Sequence, residues 1–273
     1  MRIRIVDAFT DHPFAGNPAG VLLLDADAFP ADDWLLQVAG ELNLSETAFA
    51  HPLAGAADAD WALRWFTPMT EVGLCGHATL ATAHVMRTTG AARGTIRFRT
   101  RAGTLSATAD GDGTITMDFP VAPLTAARAP DGLAQALGAQ PLTVLDAGPD
   151  CGCLLVEVAD EAAVRGLAPD FAALVRVTRL GVVATAAAED SSRGYDFVSR
   201  AFYPAAGIDE DPVTGSAHTA LAPFWSARLG RDALTGLQVS ARTGVVVMRL
   251  RGDRVLLTGT AVTVVDGELH AVP

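Results

Sequence analysis

The sequence predicts an α+β protein built as two similar lobes, and three observations carry that prediction. A motif occurs twice, each copy is framed by the same kinds of strand and helix pattern, and in each a glycine opens an alanine-rich helix. The first copy is Arg64-Trp-Phe-Thr-Pro68 followed by Glu71-Val-Gly-Leu-Cys-Gly-His-Ala-Thr79. The second is Arg200-Ala-Phe-Tyr-Pro204 followed by Glu210-Asp-Pro-Val-Thr-Gly-Ser-Ala-His218. Laying Gly76 on Gly215 also lays Glu71 on Glu210, Ala78 on Ala217, Ala81 on Ala220 and Ala83 on Ala222. The Arg-x-Phe-x-Pro pair matches as well, with a longer spacer in the second copy. Internal duplication of a mixed unit is the economical reading, and a cleft shared by the two helix starts is the expected ligand site.

In chain order, Ile3–Phe9 alternates as a strand, and Val21–Leu24 returns as its hairpin partner across the turn-rich Asp11–Gly20. Ala31–Leu42 has helical spacing, with Trp34, Leu35, Val38 and Leu42 along one side. Asn43–Phe49 leads into a strand and Trp61–Phe66 is another. The first Gly-opened helix is expected over about Gly76–Thr88. Thr95–Thr100, Gly103–Ala109 and Thr114–Phe119 read as an antiparallel meander, and Pro120–Pro130 reads as a linker. Beyond it come a helix at Gly132–Ala139, strands at Thr143–Ala147 and Cys153–Val158, and one or two helices broken near Pro169. Strands at Arg179–Ala186 and Tyr195–Phe202 lead to the second Gly-opened helix, about Ser216–Leu229. Leu237–Ala241, Val245–Arg251, Arg254–Gly259 and Ala261–Val265 close the chain as a second meander. The lobes are therefore placed at 1–120 and 121–273, with the last strand, about 261–273, a candidate to pack with the first lobe.

Composition narrows the function. A chain of 273 residues that is half hydrophobic can bury a sizeable core. The net charge of −11 and only 20 Lys and Arg, with no basic stripe, argue against nucleic acid. Three cysteines do not make a disulfide framework, and Cys151-x-Cys153 is too tightly spaced for the usual metal hook. No apolar run reaches the roughly 18 residues that span a membrane, and Met1–Asp7 lacks a signal peptide's apolar core. A cytoplasmic protein acting on a small molecule is expected. No G-x-G-x-x-G follows the first strand and no Walker pattern is present.

The chemistry-bearing residues cluster around the repeats. Gly76 and Gly215 at helix starts let backbone N–H groups approach an anion, where the helix dipole adds about half a positive charge; close helix packing is the alternative role. His77 and Ser216 occupy equivalent positions, and His84 reads as packing. No H-E-x-x-H or comparable set accompanies the histidines, so no metal is expected. Asp211 stands near the second helix start, as a cap or as a functional acid. Glu46, in Ser45-Glu-Thr-Ala-Phe, enters an apolar strand. Burial there would raise its pKa toward neutrality, as a proton-transferring group needs; a strand-end glutamate reaching solvent is the alternative. Cys75 precedes the first helix, where a thiolate is favoured, but its counterpart is Thr214. A mechanism with one thiol on each face of a carbon is therefore not available.

These blocks, together with Val6-Asp-Ala-Phe-Thr…Pro13-Phe-Ala-Gly-Asn-Pro-Ala-Gly20, Leu44-Ser-Glu-Thr-Ala-Phe49 and Val262-Thr-Val…Gly267-Glu-Leu269, closely resemble the PhzF-like family, named for a phenazine-biosynthesis isomerase. The resemblance covers essentially the whole chain. It implies the diaminopimelate-epimerase fold: two pseudo-symmetric lobes, each a curled, mostly antiparallel sheet around a central helix. It also implies a homodimer that uses no cofactor or metal. In the phenazine enzyme a glutamate moves a proton between carbons of trans-2,3-dihydro-3-hydroxyanthranilate. By motif that role falls on Glu46, with His77, Asp211 and Ser216 in support and the amides at Gly76 and Gly215 holding a substrate carboxylate. The expected function is a cofactor-independent isomerase of a small carboxylic acid. The alternatives are an amino-acid epimerase or racemase using Cys75 and a non-catalytic protein that binds small carboxylates. Likeness to the family does not identify the substrate.

Overall fold

A computed structural model of the protein describes residues 1–271 and 273. The chain forms two compact units, Met1–Asp118 with Thr258–Pro273, and Phe119–Leu257.

In the first unit the strand Arg2–Ala8 lies between two antiparallel neighbours, Ala261–Glu268 and Asn17–Leu23. Asn17–Leu23 continues in parallel to Glu46–Pro52, which pairs antiparallel with Trp61–Phe66. Trp61–Phe66 carries the short strand Glu71–Val72 and, in parallel, Thr95–Thr100, which leads into the meander of Gly103–Ala109 and Ile115–Pro120. The second unit repeats that sequence of orientations. Thr143–Asp146 pairs antiparallel with Cys153–Glu157, which runs parallel to Gly181–Ala187. Gly181–Ala187 pairs antiparallel with Phe197–Tyr203, and the latter carries Ile208–Asp211 antiparallel and Ala233–Gln238 in parallel. Ala233–Gln238 then pairs antiparallel with Gly244–Arg251. The duplication read from the motifs is thus a duplication of topology.

Each unit wraps its sheet around one helix. Every residue of Gly76–Thr89 from Gly76 to Met86 is buried. In Gly215–Leu229 nearly the whole span from Gly215 to Trp225 is buried. A helix buried on all sides needs small or apolar residues all round rather than a stripe, and the alanines and threonines of both runs supply that. Outside the sheets, Asp32–Leu42 packs on a core of Leu22, Leu35, Val38, Phe49 and Phe66 in the first unit. In the second, Leu133–Leu137, Glu161–Arg165 and Phe171–Val177 cover Leu154, Val156, Val182 and Phe202.

Proline at position 223 inside the second helix removes an N–H and so frees the carbonyl of Thr219. The backbone N–H of Ala122 donates to that carbonyl at 3.2 Å. A buried acceptor that the proline would otherwise leave unsatisfied is served by the segment expected as a linker. That segment also holds the short strand Thr125–Ala126, paired with Thr143–Asp146, so Pro120–Pro130 is part of the fold. A second expectation is displaced: the strand placed at Leu237–Ala241 lies at Ala233–Gln238. Gly236 lies inside that strand, although glycine usually weakens or interrupts one. Here a Cβ at Gly236 would stand 2.6 Å from the Phe197 ring, so only glycine lets that ring pack on the strand.

Candidate functional site

The repeated arginine and glutamate form a clamp in each unit. Arg64 donates through Nε and Nη2 to both carboxylate oxygens of Glu71, at 2.8 and 2.7 Å. Arg200 does the same to Glu210, at 2.7 and 2.8 Å. Each guanidinium also lies over the phenylalanine of its own motif, 5.0 Å from Phe66 and 5.1 Å from Phe202. The motif therefore fastens a strand to the short strand that returns before the helix. Its function is to fix where each helix begins.

In the first unit that beginning is crowded with polar atoms. Cys75 is extended, with φ −144°, and the helix starts at Gly76. Asn17 and Glu46 arrive on neighbouring parallel strands, where Ala19 is the register partner of Glu46. The Asn17 amide donates to Nδ1 of His77 at 3.2 Å, and its oxygen accepts from the Ser45 hydroxyl at 3.4 Å. With Nδ1 accepting, the proton of the ring resides on Nε2. Nε2 lies 3.2 Å from Oε2 of Glu46, whose side chain is 13 % exposed. Burial pushes His77 down to about 3, so at neutral pH the ring is uncharged. The contact is thus a neutral imidazole beside a carboxyl group rather than an ion pair. It is also off-line, leaving Nε2 without an aligned hydrogen-bond acceptor. Cys75 Sγ stands 3.5 Å from Nδ1, on the other edge of the ring.

Glu46, Cys75 and His77 offer donor atoms within 4.8 Å of one another, the one such trio of metal-ligand type among the described residues. Their disposition does not suit a chelated cation. A metal lies in the imidazole plane on one nitrogen, whereas the sulfur neighbours Nδ1 and the carboxyl neighbours Nε2.

In the second unit the corresponding helix start is bound differently. Thr214, in place of Cys75, donates its hydroxyl to Oδ2 of Asp211 at 2.5 Å. Gln238 is fully buried and stitches the turn. Its oxygen accepts from the Thr214 N–H at 2.8 Å, and its amide donates to the Asp211 carbonyl at 2.6 Å and to the Thr214 hydroxyl at 3.2 Å. Asp211 is 8 % exposed. Ser216 is half-buried, and its carbonyl accepts from the Thr219 hydroxyl and the Cys151 thiol. His218 is fully buried with Nδ1 2.8 Å from the Thr214 carbonyl, and burial lowers it to about 4.

The two helices share one more property. Neither has a side-chain cap and neither carries an acidic residue in its first turn. Helix starts of this size are ordinarily capped or neutralised, so both keep a positive dipole end with no acidic side chain in the first turn. Of the residues read from sequence, Glu46, Cys75, His77 and Gly76 come together in the first unit, and Asp211, Gly215 and Ser216 in the second. Asn17 and Gln238, which hold His77 and Thr214, were not among the residues read from sequence. Asn17 sits in a Gly-Asn-Pro turn signal that masks any chemical role, and nothing in the sequence marks Gln238. A separate cleft of about 650 Å³ in the first unit, lined by Asp25, Asp27, Leu53, Gly55 and Arg99 among others, shares no residue with either set.

Residues 6–267 match the PhzC-PhzF family, described as phenazine biosynthesis-like protein. An uncharacterized isomerase of Pseudomonas aeruginosa is 47 % identical over 266 residues, covering 97 % of both chains. The chain belongs to the PhzC-PhzF family. The crystal structure of a PhzF family protein from Enterococcus faecalis superposes with a TM-score of 0.88 at 37 % identity, covering 99 % of each chain. A hydroxyproline epimerase from Agrobacterium vitis shares the fold, with a TM-score of 0.61 at 12 % identity and coverage of 98 % of this chain and 91 % of that one. The α+β architecture of curled sheets around central helices is therefore that of the PhzF proteins, and the hydroxyproline epimerase shares the fold. At the level of the family the protein is an isomerase. Among the described residues no helix is long and apolar enough to cross a membrane.

Proposed function

We propose that the protein is a cofactor-independent isomerase that moves a proton between carbons of a small carboxylic acid, with Glu46 as the acid and base. The observation that supports this reading most is the pairing of Glu46 with a buried, neutral His77 whose tautomer is set by Asn17. Glu46 as carboxylate takes a proton from a carbon made acidic by neighbouring unsaturation. The pair of electrons moves into the substrate, and Glu46 as acid returns the proton to another carbon. The Nε2–H of His77 donates to whichever oxygen carries negative charge in that step, without itself changing charge. Amides of the uncapped helix start at Gly76 hold the substrate carboxylate and stabilise the developing anion. Asp211, Gly215 and Ser216 are assigned to substrate binding, with Thr214 and Gln238 keeping Asp211 in place.

Epimerisation through Cys75 is the second reading, supported by its place at the helix start and its 3.5 Å approach to His77. It is the weaker one because Thr214 spends its hydroxyl on Asp211 and supplies no second base. A library of small carboxylic acids screened by thermal shift supplies candidate substrates, and mass spectrometry in D2O tests each for exchange. Solvent deuterium entering a bound acid in wild type but not in Glu46→Gln is the expected result. Equal incorporation by both removes Glu46 from the mechanism. Binding with no exchange in any acid makes the protein a binder.

A further inference from the structure

The pair Cys151-x-Cys153 has no part in the isomerase reading, yet it is attached to the second helix start. Cys151 closes the short turn Gly148–Cys151, and Gly152 follows in the left-handed region with φ 58° and ψ 34°. That turn is held firmly. The Gly148 N–H donates to Asp146 Oδ1 at 2.8 Å, the Gly152 N–H to the Gly148 carbonyl at 2.9 Å, and the Gly181 N–H to the Gly152 carbonyl at 2.8 Å. Helical dihedrals of either hand separate residues i and i+2 by about 5.4 Å between Cα atoms. This falls inside the range of roughly 4.4–6.8 Å that a disulfide bridges. The two thiols are near enough for each to shift the other's ionisation. Cys151 also donates to the carbonyl of Ser216 at 3.0 Å and lies 3.4 Å from the Thr219 hydroxyl.

We infer that Cys151 and Cys153 form a reversible intrachain disulfide on reaction with a hydroperoxide, releasing the first turn of the helix Gly215–Leu229 from Cys151. Cys151 ionises and its thiolate attacks one oxygen of hydrogen peroxide; an S–O bond forms, the O–O bond breaks, and the departing hydroxide takes up the proton that Cys151 released to become water. The Cys153 sulfur then attacks the resulting sulfenic acid. The S–S bond forms, the S–O bond breaks, and a second water leaves, so the two thiols are oxidised by two electrons as the peroxide is reduced. The order of attack follows from the surroundings. The Cys153 thiol holds Cys151 below the ordinary thiol value, whereas the Cys151 thiol, and after it complete burial, hold Cys153 well above it. In the oxidised form Cys151 has no proton to give, and the Ser216 carbonyl loses its 3.0 Å partner.

The test uses the full-length protein, mild hydrogen peroxide, and peptide mapping without reduction. The peptide carrying both residues should lose two hydrogen atoms in mass and regain them with dithiothreitol. Cys75→Ser should behave as wild type. In Cys153→Ser a sulfenic acid at Cys151 should be trapped by dimedone, and Cys151→Ser should give no adduct at Cys153. Amide hydrogen exchange over residues 215–220 should rise several-fold on oxidation and return on reduction. Oxidation confined to Cys75, or a mass loss that persists in Cys153→Ser, overturns the disulfide. A disulfide that leaves exchange at the helix start unchanged overturns the link to it. All of these readouts are independent of turnover, so they stand or fall separately from the isomerase reading.

Discussion

Acid should unfold this protein through its buried histidines before its carboxylates matter. Burial lowers His77 to about 3 and His84 and His218 to about 4, from an ordinary value of 6.5. Each is nearly or fully excluded from solvent, so the folded state keeps the neutral ring while the unfolded chain binds a proton. The sign follows directly: the stabilisation is complete above about pH 6.5 and is lost as pH falls below it. One group then costs at most about 1.4 kcal/mol per pH unit. Between pH 7 and pH 5 each loses roughly 2 kcal/mol and the three together about 5 to 6 kcal/mol. That is a large share of the total of about 5–15 kcal/mol that holds a typical domain. Urea unfolding followed by circular dichroism at pH 7, 6 and 5 measures the slope. His84→Gln keeps a donor toward the Thr263 hydroxyl, which His84 Nε2 meets at 3.0 Å, and should reduce the loss by about a third. A stability that stays flat from pH 7 to pH 5 refutes the assignment of neutral, buried rings, His77 included.

Three further outcomes are expected. Asn17→Asp would place an acceptor against Nδ1 of His77 and draw the proton to that nitrogen. Exchange of deuterium into the substrate should then fall by at least about ten-fold, a loss of some 1.4 kcal/mol, while Asn17→Ala, which leaves the tautomer unset, should lose less. Cys75→Ser should keep deuterium exchange within a few-fold of wild type, whereas loss of all exchange favours the epimerase reading. Gln238→Leu strands the Thr214 N–H in a buried turn and should lower stability by about 1–3 kcal/mol in denaturant unfolding, with weaker carboxylate binding by isothermal calorimetry.

Much of this architecture was legible because it is written twice. Alternation placed Trp61–Phe66 and Thr95–Thr100 at their observed bounds, and the glycine–alanine runs located both buried helices. The duplicated Arg–Glu clamp explains why the motif repeats: Arg64 with Glu71 and Arg200 with Glu210 hold each helix start, whatever chemistry is grafted there. What escaped depends on contacts distant in sequence. Nothing local tells that Gln238 reaches back to Thr214, that Ala122 serves the carbonyl freed by Pro223, or that Asn17 sets the proton on His77. The steric reason for glycine at position 236, the Phe197 ring, lies on the neighbouring strand and leaves no local signal. The asymmetry between the copies, Cys75 against Thr214, was visible from the start. Its consequence, a threonine hydroxyl committed to Asp211, was visible only in three dimensions.

The most direct test of the proposed chemistry is deuterium incorporation by wild type and Glu46→Gln, measured by mass spectrometry on the acid that most raises the melting temperature. Glutamine preserves the size of the side chain and an oxygen near Nε2 of His77 but cannot accept the substrate proton. A general acid–base group contributes about 10²–10⁴-fold, so incorporation should fall by at least 10²-fold while the thermal shift on binding is retained. Incorporation at the wild-type rate, with binding intact, would contradict the assignment of the proton to Glu46.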